Sequence, residues 1–198
     1  MSKGGEAMAE MPQARERMVA GAADMIRRRG LNATSVRELA KHAQAPLGST
    51  YHYFPGGKSE LAAEAVRFAE TLTVRKLADG LAAGPVAALR SFADMWRKVL
   101  IDSDFQAGCP VLAVAIEDPV DDDRPQRAAA AAFENWTALL ARSLRDHGAG
   151  EVDAEQTATL IVAAVEGTVA MCRVEHSTRA LDQTVDKLEF LVRSVTTD

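Results

Sequence analysis

The side chains with the clearest potential for chemistry lie between Pro46 and Lys58. Gly-Ser-Thr at 48–50 is followed at 51–54 by Tyr-His-Tyr-Phe. Hydroxyl, imidazole and ammonium groups at this spacing suit hydrogen bonding to a polyanion better than bond cleavage. A helix used only for packing would not gather small polar residues at its start and phenols one turn later, whereas a helix entering a DNA major groove end-on would. The pattern favours nucleic-acid recognition.

Two short helices must position these side chains. Ser35 and Glu38 form an S-x-x-E capping box that predicts where the first helix begins. Its buried face recurs at helical spacing through Val36, Leu39, Ala40 and Ala43. Pro46 suits the first turn of a second helix, predicted at about 46–54, so residues 44–45 form a tight turn. The segment predicts a helix-turn-helix.

A preceding helix completes this small unit. Its apolar face over about 15–29 comprises Met18, Val19, Ala22, Ala23 and Ile26, and Gly30 follows as its C-cap. The three arginines at 27–29 either complement the helix dipole or contact phosphates. Residues 1–10 are predicted to be a disordered arm.

The remaining chain predicts an all-α fold of about nine helices. Further helices are expected at about 58–79, 85–101, 110–117, 125–146, 153–174 and 180–195. An acidic stretch at 120–123 is predicted to be a solvated connector. The last two helices have enough apolar surface to form a homodimer interface, with Ala163 and Gly167 allowing close approach, or else they complete the monomer core.

Composition limits the classes of function. The chain has 198 residues, 47% hydrophobic, with a net charge of -5. Residues 1–60 carry 9 Lys+Arg against 6 Asp+Glu and the rest 14 against 22, so only the first third suits contact with phosphates. Phosphate loops, metalloprotease motifs and nucleophile elbows are absent, and we expect neither enzyme activity, metal nor cofactor. We expect no signal peptide and no membrane span, because the longest apolar run is far below the roughly 18 residues required.

The later helices also predict an apolar pocket. The aromatic and sulphur-containing residues on their inward stripes, together with one carboxylate, are Phe68, Phe92, Trp96, Phe133, Trp136, Glu166, Met171 and Cys172. Each of these residues alone is also compatible with a packed core. Glu166 lies in an apolar run and needs a partner. Either an arginine such as Arg90, Arg142 or Arg173 pairs with it, or it faces the pocket and favours cationic or hydrogen-bonding ligands.

Residues 11–72 resemble the DNA-binding domain of the TetR/AcrR family of bacterial transcriptional repressors. The matching positions are Gly30, Thr34, Ser35, Leu39, Ala40, Ala43, Gly48, Ser49, Tyr51, Tyr53, Phe54, Lys58 and Leu61. GCPVLAVAIE at 108–117 resembles the LmrA/YxaF-like subgroup. The resemblance implies a DNA-binding domain at 11–72 and a helical ligand-binding and dimerisation domain at 73–198.

The resemblance also implies roles for individual residues. Phosphate contacts would come from Thr34, Tyr51, His52, Tyr53 and Lys58, with Ser35 mainly a cap. Base edges would meet Arg37, Pro46, Leu47, Gly48, Ser49 and Thr50. Tyr51 is equally compatible with inward packing, and His52 with simple solvation. Gln44 stands where the family often has glycine, so we expect a left-handed residue strained by about 1 kcal/mol.

The resemblance further implies a ligand-gated repressor. A homodimer would hold two reading heads one DNA turn apart on a palindromic double-stranded operator, and a small apolar or amphipathic effector would release it. The protein would be cytoplasmic in a bacterium and associated with the nucleoid when bound to DNA. The alternative is a ligand-binding helical protein without specific DNA recognition.

Overall fold

The computed structural model describes the backbone of residues 3–119 and 122–197, without the side chains of residues 3–12 and of Ser49. Nine α-helices and no strand occur in these ranges, which confirms the all-α prediction. The helices are α1 (Lys3–Arg29), α2 (Val36–His42), α3 (Leu47–Tyr53), α4 (Gly57–Leu81), α5 (Pro85–Asp102), α6 (Pro110–Ala115), α7 (Arg124–Asp146), α8 (Glu151–Glu175) and α9 (Arg179–Val195).

Two helix starts differ from prediction. α1 begins at Lys3 rather than near Arg15, so the backbone of residues 3–10, expected to be a disordered arm, is helical. α8 begins at Glu151 with Gly150 as its N-cap and no side-chain cap, so the capping box expected at Asp153 does not form. In the acidic connector, Val120 and Asp121 lie outside the described residues.

The chain forms two compact units. Unit 1 comprises Met1–Ala69 and Pro110–Ala129, and unit 2 comprises Glu70–Cys109 and Ala130–Asp198. The sequence predicts two consecutive domains divided near residue 72. The division at 69 is close to that prediction, but the segment 110–129 belongs to unit 1 because α6 packs against α1.

Unit 1 has a core built on the apolar face of α1. All five predicted residues of that face are buried, and Leu39 of α2 and Leu61 of α4 are also buried. Phe54, which is fully buried, ends α3, and the Arg15 guanidinium lies 5.2 Å from the centre of its ring. Burial of the inner faces of α2 and α3 therefore fixes their outer faces toward solvent.

Unit 2 is a helical bundle in which α9 packs against α8 and α5. Its buried residues include Leu89 and Leu100 on α5, Leu144 on α7, and Leu181 on α9. The apolar stripes predicted at helical spacing therefore face the core.

Candidate nucleic-acid interface

The start of α2 is set by a capping box. Ser35 Oγ accepts a hydrogen bond from the Glu38 backbone N–H at 3.2 Å, and the Ser35 backbone N–H donates to Glu38 Oε2 at 3.0 Å. The Ser35 hydroxyl also donates to Glu38 Oε2 at 2.7 Å. This bond and the one from the Ser35 backbone N–H lower the pKa of Glu38, because both favour the charged carboxylate. The prediction from the S-x-x-E spacing is confirmed.

The turn between α2 and α3 requires a left-handed residue. Gln44 has a φ of 52°, the conformation expected at the position where glycine is common. The Ala45 backbone N–H then donates to the Ala40 carbonyl at 2.9 Å. Pro46, with extended backbone angles, precedes α3 and provides no side-chain cap. The turn aims the N-terminus of α3 away from the core of unit 1.

The exposed face of α3 carries most of the residues predicted to read DNA. Leu47 is 38% exposed and Tyr51 57% exposed, and Pro46, Gly48 and His52 are also exposed. A Cβ atom added at Gly48 would meet no atom within 4 Å, so another chain can approach its backbone closely. Because more than half of its surface is exposed, the Tyr51 side chain points outward and not into the core.

Two predicted contact residues are instead buried. Thr34 is 1% exposed, and its hydroxyl donates to the Gly30 carbonyl at 2.7 Å. Thr50 is also 1% exposed because it lies on the inner face of α3. Direct contacts from these two side chains to DNA, as the sequence predicts, do not fit this structure. Ser49 lies in α3, and its side chain is outside the description.

A surface groove joins the start of α2 to α3 and α4. Five residues with predicted DNA contacts line it, namely Thr34, whose side chain is buried, and Ser35, Arg37, Tyr51 and Lys58. The Lys58 ammonium donates to the Asn32 carbonyl at 3.5 Å, which holds it at this groove. The groove combines two cations with a phenol and a hydroxyl, a set suited to phosphate oxygens. It also includes the Glu38 carboxylate, which accepts the hydrogen bonds of Ser35. Tyr53 is half-buried beside it, with its ring 5.4 Å from that of His52.

The arginines at the end of α1 are partly neutralised. Asp24 accepts hydrogen bonds from Arg27 at 2.6 Å and from Arg28 at 3.2 Å. Burial alone would raise the pKa of Asp24, but these arginines lower it overall. Arg29 is more exposed and lies 4.0 Å from Glu38. The contacts of Arg27 and Arg28 fit a role within the helix.

Unit 2 contains an aromatic cluster at the predicted pocket. The Phe92 ring lies edge to face with Trp96 at 6.4 Å and with Trp136 at 5.9 Å, and Phe133 meets Trp136 at 5.5 Å. Phe92, Trp96 and Trp136 are buried and Phe133 is half-buried. Both indole N–H groups have no hydrogen-bond acceptor among the described residues. The cluster is thus apolar with two unused donors.

No arginine of the described residues forms an ion pair with Glu166, so the first of the two predicted alternatives does not occur. Its side chain is 3% exposed, and neither carboxyl oxygen has a conventional hydrogen-bond partner within the described ranges. Arg90 pairs with Glu189, and Arg173 donates to the Gln106 carbonyl. Arg142 instead lies 3.9 Å from Asp146. Burial raises the pKa of Glu166 to about 8, partly offset by the Cys109 thiol.

Two members of the predicted pocket lie elsewhere. Met171 is 51% exposed and lines a surface depression between α8 and α9. Its neighbour Cys172 is fully buried, because adjacent residues of a helix point about 100° apart. Phe68 belongs to unit 1 and is 36% exposed there. The structure thus brings together only the aromatic residues of α5 and α7.

No group of three or more His, Cys, Asp or Glu residues suited to a metal ion occurs in the described part of the chain. α8 is long and apolar enough to cross a membrane, and half of its most apolar window is buried, as in the core helix of a globular domain.

Comparison with known proteins identifies the family. The model of the bacterial regulatory proteins of the tetR family matches residues 19–65, and the model of the LmrA/YxaF-like transcriptional regulator C-terminal domain matches residues 85–187. The chain belongs to the TetR family of bacterial transcriptional regulators. Within that family, its C-terminal part is LmrA/YxaF-like.

Individual relatives support this assignment. The uncharacterised HTH-type transcriptional regulator Rv0196 of Mycobacterium tuberculosis is 38% identical over 173 residues, covering 85% of this chain and 88% of the relative. LmrA of Bacillus subtilis, an HTH-type transcriptional regulator, is 28% identical over 79% of this chain and 85% of its own length. The crystal structure of regulatory protein TetR from Rhodobacter sphaeroides has the same fold, with a TM-score of 0.81 and 22% identity over 90% of this chain and 98% of that one. This TetR-family chain is therefore a DNA-binding transcriptional regulator, which sets aside the alternative without DNA recognition.

Proposed function

We propose that this TetR-family regulator is a repressor that binds a palindromic double-stranded operator as a homodimer and is released by a small apolar or amphipathic molecule. The observation that carries the DNA-binding part is the exposed groove shared by Ser35, Arg37, Tyr51 and Lys58 beside the outward face of α3. The proposal includes no enzymatic step and no cofactor. It places the protein in the cytoplasm, at the nucleoid when bound to DNA.

The predicted contact residues other than Thr34 and Thr50 divide into two roles. Lys58, Tyr51, His52 and Tyr53 contact phosphates, which fixes the orientation of the unit on DNA without reading sequence. The residues nearest the N-terminus of α3, together with one arginine of α2, meet base edges: Arg37, Pro46, Leu47, Gly48 and Ser49. Ser35 acts mainly as the cap of α2, as its hydrogen bonds indicate.

A gel-shift series tests the DNA-binding roles. The probe is the DNA flanking the protein's own gene, compared with scrambled DNA of equal length. Lys58→Ala should weaken binding to both probes alike, whereas Ser49→Ala should change the preference among operator variants. Lys98→Ala is the control, because Lys98 is an exposed cation of unit 2 that pairs with Asp102 at 2.7 Å. Salt-insensitive binding, or equal binding to both probes, would refute the proposal.

The homodimer interface is proposed on the outer face of α8 with α9. This face exposes Leu160, Met171 and Val174, which are 48%, 51% and 84% exposed. A Cβ atom added at Gly167 would meet nothing within 4 Å, so a second helix can approach closely there. Apolar residues alternating with small ones suit helix packing between two copies.

The effector site is proposed at the aromatic cluster of unit 2. Aromatic rings supply apolar contact, while the indole N–H groups of Trp96 and Trp136 supply buried donors without an acceptor among the described residues. A ligand that offers both apolar surface and hydrogen-bonding groups would satisfy these atoms. Because the chain has two tryptophans and both lie in this cluster, quenching of their fluorescence reports binding. A compound that quenches must also release DNA to count as an effector.

A further inference from the structure

The Glu117 carboxylate, in the segment that follows α6, contacts the loop that precedes α2. Glu117 Oε1 accepts a hydrogen bond from the Leu31 backbone N–H at 3.0 Å, and Oε2 accepts one from the Asn32 backbone N–H at 2.6 Å. Glu117 is itself held, because its carbonyl accepts a hydrogen bond from the Gln126 amide at 3.1 Å. One carboxylate therefore binds two consecutive backbone amides.

Gly30 provides the space for this contact. Its φ of 83° closes the end of α1, and a Cβ atom there would collide with Glu117 Oε1. Glycine adopts this left-handed backbone conformation without strain, and a Cβ atom here would force the Glu117 carboxylate to move. The contact is built into the loop geometry rather than being a chance surface pair.

A second carboxylate of the same segment reaches the first turn of α4. Asp122 accepts hydrogen bonds from the Ser59 hydroxyl at 2.5 Å and from Arg124 Nη2 at 2.6 Å. Arg124 Nη2 also lies 3.4 Å from the Gly56 carbonyl. Ser59 is 7% exposed and the Asp122 side chain 34% exposed, so this hydrogen bond is partly shielded from water. Arg124 and Ser59 lower the pKa of Asp122, so it stays charged.

We propose that Glu117 and Asp122 are positioning residues for DNA recognition. The loop at 30–32 precedes α2, and residues 56–59, which include the first turn of α4, follow α3 in the chain. By holding both segments, the two carboxylates fix the presentation of α3. This inference rests on the proposed operator binding and concerns only residues of unit 1.

The direction in which DNA affinity changes when a carboxylate is removed separates this role from simple charge repulsion. Asp118 and Asp122 line a cleft together with Lys58, a predicted phosphate contact. A negative charge near phosphates repels DNA, so removal of any carboxylate should strengthen binding if charge alone matters. Positioning predicts the opposite result for Glu117, because loss of its hydrogen bonds loosens the loop before α2.

The experiment compares Glu117→Gln with Asp118→Asn. Each substitution removes one negative charge from adjacent positions. Glutamine keeps one acceptor oxygen but turns an NH2 group toward a backbone N–H, so one hydrogen bond is lost. The Asp118 carboxylate has no hydrogen bond within the described part of the chain, which makes Asp118→Asn the charge-matched control. Fluorescence anisotropy measures binding of the full chain to the DNA flanking its own gene and to scrambled DNA.

We expect Glu117→Gln to bind the flanking DNA about tenfold more weakly, the effect typical of one charge-assisted hydrogen bond. Its binding to scrambled DNA should be unchanged or slightly stronger, and Asp118→Asn should bind both probes at least as well as the wild type. Circular dichroism should show equal helix content in all three proteins. If Glu117→Gln and Asp118→Asn behave alike, the positioning role is wrong. If the wild type itself does not prefer the flanking DNA, the proposed function fails first.

Discussion

Substitution of Glu166 by glutamine isolates the effect of a carboxyl group buried without a charged partner. The folded-state pKa of Glu166 is raised to about 8, from an ordinary value of 4.5, because burial disfavours the charged form. Below pH 4.5 the group is protonated in both the folded and the unfolded chain. Above pH 4.5 only the unfolded chain readily loses the proton, so the folded state becomes less stable as the pH rises toward 8.

The size of this effect follows from the pKa difference. Each pH unit between the two values lowers the free energy of unfolding by about 1.4 kcal/mol, which amounts to about 5 kcal/mol over the whole interval. Between pH 5 and pH 7.5 the loss is about 3 kcal/mol. Glutamine has nearly the same shape and does not titrate. The Glu166→Gln protein should therefore match the wild type at pH 5 and exceed its stability by about 3 kcal/mol at pH 7.5.

Urea unfolding followed by circular dichroism measures this difference at both pH values. Glu189→Gln serves as a control of opposite sign, because the pKa of Glu189 is lowered through hydrogen bonds from Arg193 and Arg90. That variant should become less stable than the wild type as the pH rises from acid to neutral. If the stability difference between Glu166→Gln and the wild type is the same at both pH values, Glu166 is not a buried, protonated carboxyl.

Three further outcomes are expected. Gln44→Gly should raise the free energy of unfolding by up to about 1 kcal/mol in thermal melts, because glycine adopts the observed left-handed conformation without strain; a destabilised variant would contradict this. Leu160→Glu should convert dimers to monomers in analytical ultracentrifugation, whereas Ile101→Glu, at another exposed apolar residue of unit 2, should leave dimers intact; two dimeric variants would exclude the proposed interface. Lys58→Ala should reduce by about 1 the slope of log K against log salt; an unchanged slope would remove Lys58 from the phosphate contacts.

Local sequence signals were sufficient for much of the DNA-reading unit. The capping box at Ser35, the left-handed residue at Gln44 and the buried face of α1 all follow from residues a few positions apart, and all three are confirmed. Thr34 matches the family motif, but the phosphate contact predicted for it does not fit the structure. Its side chain is buried, and its hydroxyl donates a hydrogen bond to the Gly30 carbonyl.

The features that the sequence did not predict depend on contacts distant in the chain. Glu117 accepts hydrogen bonds from the backbone amides of Leu31 and Asn32, which lie 86 and 85 positions away in the sequence. A local sequence pattern cannot predict such contacts. The same limit applies to Glu166, because which side chains face a buried carboxyl is decided by helix packing. Burial of Thr50 and exposure of Met171 likewise depend on which faces of α3 and α8 pack against other helices. Neighbouring helical residues point about 100° apart, so a small difference in the packed face exchanges a buried residue for an exposed one.

The central claim is that α3 reads DNA sequence as part of a symmetric dimer. Hydroxyl-radical footprinting of the DNA flanking the protein's own gene tests it most directly. A symmetric dimer should protect two half-sites related by two-fold symmetry, with centres about one helical turn apart or a multiple of it. Protection should disappear with Lys58→Ala at moderate salt and persist with Lys98→Ala. Uniform protection along the probe, or a single unpaired half-site, would contradict the claim.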